Sequence, residues 1–91
     1  MNKVLIIDAS PTDGRIMSGL LTRAGYELVV EESIEAGKVE AVKLPPGAVI
    51  VTAMRLPDGT ARELINWLKT KNYGFPVIAI VITLVTWMPL M

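Results

Sequence analysis

The sequence predicts an α/β fold, a doubly wound parallel sheet in one small domain. Three observations carry this expectation. Apolar runs rich in β-branched residues recur at "KVLIID" (3–8), "AVIV" (48–51) and "VIAIVI" (77–82). Unbroken runs of this kind suit strands buried on both faces, as parallel sheets require. Segments of helical period with start signals lie between the runs, and the connections are short, so each strand–helix–strand unit closes as a right-handed crossover.

The first strand, 3–8, ends in Asp8 and is followed by "SPTD". Ser10 is placed to cap a helix, Pro11 to occupy its first position and Asp13 to face its N-terminal dipole. Ile16, Met17, Leu20, Leu21 and Ala24 then recur at helical spacing, and Gly25 ends the helix. "YELVV" (26–30) reads as the second strand. Ser33 caps a weaker helix to about Lys43, in whose interior Gly37 costs about 1 kcal/mol relative to Ala. "LPPG" stops it ahead of the third strand, 48–51. Thr60 and Glu63 match a capping box, and Leu64, Ile65, Trp67 and Leu68 give the third helix an apolar stripe, with Trp67 as half-buried packing. "YGFP" turns the chain into the fourth strand, 77–82.

With 91 residues and 52% hydrophobic content, the chain can build one core. Nine basic side chains balance nine acidic ones and are interspersed with them, so no nucleic-acid surface is expected. The chain contains neither cysteine nor histidine, which excludes disulfides, thiolate nucleophiles, zinc sites and histidine bases. Nothing pairs a nucleophile with a base, so the expectation is that this is not an enzyme. The apolar run in "MNKVLIID" is too short for a signal peptide, and a cytoplasmic location is expected. No charged residue follows Lys71, but Asn72, Gly74, Pro76 and Pro89 interrupt this neutral run, which argues for a buried strand with an apolar extension over a membrane span.

Ligands of open α/β sheets bind beyond the carboxyl ends of the strands. That rule directs attention to Asp8, Ala9 and Ser10, to Thr52 through Gly59, and to Val81 through Thr83.

The segments "VLIID", "LLTRAGYE", "LPP", "RLPDG" and "PVIAI" stand in an order and spacing that resembles the receiver domain of two-component response regulators. The resemblance spans about eighty residues and implies the flavodoxin-like receiver fold, with strand order 2-1-3-4 and a fifth strand missing. It divides the chain into a receiver-like domain, 1–82, and an apolar extension of strand four or interface segment, 83–91. In that family an acidic pair after strand one and an Asp after strand three hold Mg²⁺, and the second Asp accepts a phosphoryl group from a histidine kinase. Clustered carboxylates bind a hard cation, which neutralises charge during transfer.

Carried over to this sequence, the resemblance leaves Asp8 in the first acidic position and Ala9 in the second. The phosphoacceptor position, four residues before Pro57, is Ala53. The hydroxyl switch position after strand four falls on Val81, with Thr83 out of register, and the chain ends before the strand that carries the family's Lys. Asp8 and the backbone carbonyl of Arg55 are the remaining metal ligands, a weak and residual set, so no cofactor is expected. The local readings are plainer: Asp8 accepts hydrogen bonds from nearby backbone, Thr52 alternates away from position 53, Asp58 and Gly59 supply turn chemistry, and Arg55 is a solvated loop charge.

Three functional classes stay open. One is a pseudo-receiver acting through protein contacts, with a sensor histidine kinase or output domain as partner. Another is an engineered Asp-to-Ala knockout of a phosphorylatable switch, favoured by the intact "RLPDG" but opposed by Ala9 and Val81. The third is a membrane-tethered module using residues 72–91. The β-rich end, with Leu84, Val85, Trp87 and Met88 as interface residues, also predicts a homodimer or domain-swapped oligomer through residues 77–88, because an open apolar edge templates pairing.

Overall fold

The computed structural model describes residues 2–80. Val81, Leu84, Val85, Trp87 and Met88, the extension 83–91 and the last two residues of the expected fourth strand lie outside the described residues. The elements run β1 (Lys3–Ile7), α1 (Pro11–Arg23), β2 (Glu27–Glu31), α2 (Ile34–Ala41), β3 (Val49–Ala53), β4 (Arg55–Leu56), β5 (Gly59–Thr60), α3 (Ala61–Thr70) and β6 (Val77–Ile80). The large sheet is parallel throughout in the order β2-β1-β3-β6. This is the order 2-1-3-4 of the sequence reading, once the two short strands β4 and β5 are set aside.

Strand alternation sorts the core onto the two faces of the sheet. Leu5, Ile7 and Ile50 pack with Ile34 and Ala41 of α2 and with Leu64 and Leu68 of α3. Val4, Ile6 and Val51 on the other face take Met17 and Leu21 of α1. The stripe expected on α1 needs correction. Ile16 and Leu20 are 58% and 61% exposed, and Ala24 is exposed too. Each helical residue turns about 100° from the last, so seating the 17/21 line on the sheet swings the 16/20 line to the outside.

Other differences are local. β3 runs on to Ala53, because Thr52 pairs with Ile7 and Ala53 with Ile80. α2 ends at Ala41, where the Lys43 and Leu44 amides bond three residues back, to Glu40 at 3.0 Å and Ala41 at 3.2 Å, tightening the last turn before the prolines. Gly37 brings α2 against the sheet: a Cβ there would overlap Ile7 Cδ1. The helix-propensity cost of this glycine is offset by close packing.

The capping box of α3 is present, with Glu63 N–H donating to Thr60 Oγ1 at 3.4 Å and Thr60 N–H to Glu63 Oε2 at 3.2 Å. Trp67 is half-buried on the core, with its ring centroid 5.9 Å from that of Tyr73 and the Lys38 ammonium 5.4 Å above it. No helix among the described residues is long and apolar enough to cross a membrane.

Candidate functional site at the carboxyl end of the sheet

The register sets the site. Ile7 lies opposite Thr52, so the next positions of the central strands, Asp8 and Ala53, come side by side where the ladder ends. Ala53 is in turn paired with Ile80, so Val81 is the next position along β6 and lies outside the described residues. The structure thus brings together Asp8 and Ala53, two of the positions that the sequence singles out.

Asp8 is 7% exposed, and its Oδ1 accepts the Ser10 amide at 2.9 Å, the local role expected for it. Its own amide donates to the Glu31 carbonyl at 2.9 Å, tying the end of β1 to β2. Thr52 is fully buried and donates to the Ala53 carbonyl at 3.0 Å, so its hydroxyl is engaged with backbone. Ala53 is half-buried and Arg55 exposed. Arg15 and Glu32, which the sequence reading left out, join Asp8 and Ser10 around an open cavity of about 240 Å³. Glu32 directly follows β2, so the rule that ligands gather beyond strand carboxyl ends was the signal available for it.

The resemblance to receiver domains implies a divalent cation beside Asp8. One oxygen of Asp8 already takes the Ser10 amide, and the flanking positions 9 and 53 offer methyl groups. Among the described residues no three acidic side chains gather as a metal cluster. Mg²⁺ is usually held by more than one carboxylate or phosphate oxygen. These residues do not fit it.

The segment after Ala53, expected as a turn, is a small hairpin. Arg55 and Leu56 pair antiparallel with Thr60 and Gly59, and the Ala61 amide closes the base on the Met54 carbonyl at 2.9 Å. Pro57 and Asp58 form its tip. Asp58 does more than turn the chain: Oδ1 accepts the Ile34 amide at 2.8 Å and Oδ2 the Glu35 amide at 3.0 Å. Ser33 Oγ accepts the Ala36 amide at 3.1 Å, and the Gly37 amide reaches the Ser33 carbonyl at 2.9 Å. The Ile34, Glu35 and Ala36 amides, three of the donors that a helix start leaves without an intrahelical partner, are therefore satisfied by side chains, two of them by a residue from another element, and the Gly37 amide makes the first bond along the helix. The Ile34 amide first and the Glu35 amide second hold the Asp58 carboxyl below the usual carboxylate range, with Lys38 adding a smaller attraction.

No protein-family model and no curated protein matches the sequence. Solved structures do match the fold. The FixJ-N crystal structure aligns at a TM-score of 0.80 and 27% identity, over 89% of this chain and 64% of that one. A response regulator receiver domain protein from Clostridium thermocellum aligns at 0.81 and 22%, over 89% and 65%. The MaeR response regulator bound to beryllium trifluoride aligns at 0.80 and 22%, over 89% and 67%. The chain spans about two thirds of the length of these structures. Sheet order, helix placement and these superpositions agree, and the chain has the flavodoxin-like fold of the response-regulator receiver domains.

Proposed function

We propose that the chain is a receiver-like signal-transduction module of a response regulator that takes no phosphoryl group at position 53 and works through protein contacts. The observation that carries this reading is the methyl side chain of Ala53 at the end of β3, beside Asp8 in a receiver fold. A methyl group has no lone pair with which to attack phosphorus. With Ala9 as the neighbour of Asp8, the charge that a cation would balance during transfer is also reduced. A histidine kinase or an output domain is the partner class that suits such a module. A second copy of the chain, meeting it through residues 77–88, suits an edge that β6 leaves open among the described residues.

Labelling tests the reading. Incubated with a small-molecule phosphodonor and Mg²⁺, the protein is expected to keep its unmodified mass. A hydroxylamine-labile phosphoryl adduct within residues 48–60 would overturn it.

A further inference from the structure

We infer that Asp58 is a latch that joins the hairpin following β3 to the start of α2, so that the two segments open and close as one body. The hairpin is otherwise small, with two paired residues on each side. Two contacts fix its position against α2. Leu56, 9% exposed, sits in the core cluster that also holds Ile34 and Leu64. At the tip, the two oxygens of Asp58 take the first two amides of α2. Gly59 lets the tip come this close: its φ is +154°, and a Cβ there would stand 2.8 Å from Ile34 Cδ1.

The consequence reaches beyond a helix cap. The hairpin leaves β3 directly after Ala53, so it is anchored at the carboxyl end of the sheet, whereas α2 presents Val39, and its C-cap Val42, to solvent, 56% and 52% exposed. A displacement at the carboxyl end of β3 therefore has a hydrogen-bonded route to the outer face of α2. Ser33 provides the internal control, because its hydroxyl caps the same helix by accepting the Ala36 amide, a bond within its own segment. The inference is independent of whether position 53 takes a phosphoryl group.

Residue-resolved amide hydrogen exchange on the full chain tests the latch. Asp58→Ala is expected to speed exchange at Ile34 and Glu35 and, in parallel, at Ala61, each by roughly fivefold or more, the scale of a lost cap. Ser33→Ala is expected to speed Ala36 and leave Ala61 at the wild-type rate. Asp58→Asn keeps one acceptor and the size of the side chain, so it gives intermediate rates at both segments and carries the test if the alanine variant does not fold. If Ala61 keeps its wild-type rate in both Asp58 variants while Ile34 and Glu35 accelerate, Asp58 is a cap and the latch is refuted. Equal acceleration of Ala61 by Ser33→Ala would refute it as well, assigning the coupling to fraying of α2.

Discussion

Asp58 and Ile34 stand 24 positions apart in the sequence, yet the carboxylate of one accepts the amide of the other at 2.8 Å. The bond joins the tip of the hairpin to the first residue of α2 and, with its twin to Glu35, holds the pKa of Asp58 below its ordinary value by favouring the carboxylate form. A carboxylate with a depressed folded-state pKa stabilises the fold fully above its unfolded value, about 3.9, and loses that contribution as pH falls through the lower folded value. Glu35 and Lys38 both lie near the group; the amide bonds are the larger influence. Carboxyl carbon resonances followed by NMR are expected to give an Asp58 midpoint below 3.8. A midpoint at or above that value would mean that the two amide bonds do not persist in solution.

Gly37→Ala is expected to destabilise the protein although alanine is the better helix former. The propensity gain is about 1 kcal/mol, but the new methyl meets Ile7 Cδ1, and Ile7 is fully buried. Forcing a methyl into a packed interface costs about 1–3 kcal/mol, so a net loss of up to about 2 kcal/mol is expected in urea denaturation. A gain in stability would show that α2 can move off the sheet freely.

Leu64→Ala tests the larger core. Leu64 is fully buried among Ile7, Ile34, Ile50 and Leu56. Truncation at such a position costs roughly 2–5 kcal/mol, a large part of the stability of a domain this size. Leu20→Ala, at 61% exposure on α1, is expected to change stability by less than about 0.5 kcal/mol. Similar losses from the two variants would place Leu20 in a contact outside the described residues.

What could be read from the sequence was what is encoded locally. The capping box at Thr60 and the cap at Ser33 follow from residues three positions apart, and both are present. The register sets Ala53 beside Asp8 at the carboxyl end of the sheet, where the rule for open parallel sheets directs attention. The partners of Asp58 and Gly37 were not legible, because turn chemistry already explains an Asp after Pro, and helix propensity alone prices the glycine. Nothing in either local segment names Ile34 or Ile7. The apolar stripe of α1 was wider than the face a helix can bury, and only packing decided for Met17 and Leu21 over Ile16 and Leu20.

Ala53→Asp is expected to permit labelling by a small-molecule phosphodonor, but weakly and with a shallow dependence on Mg²⁺. Asp8 would then be the second carboxylate, while Ala9 still leaves the cation one ligand short of the family pattern. Full stoichiometric labelling with tight Mg²⁺ dependence would show that position 9 matters little.

Titration of the isotope-labelled protein with beryllium fluoride and Mg²⁺ is the sharpest check that position 53 takes no phosphoryl group, because beryllium trifluoride occupies the place of a phosphoryl group on a carboxylate without any transfer step. The amide resonances of Asp8, Ala53, Met54 and Arg55 are expected to stay in place through millimolar additions of both. Saturable shifts at those four residues, dependent on Mg²⁺, would contradict it.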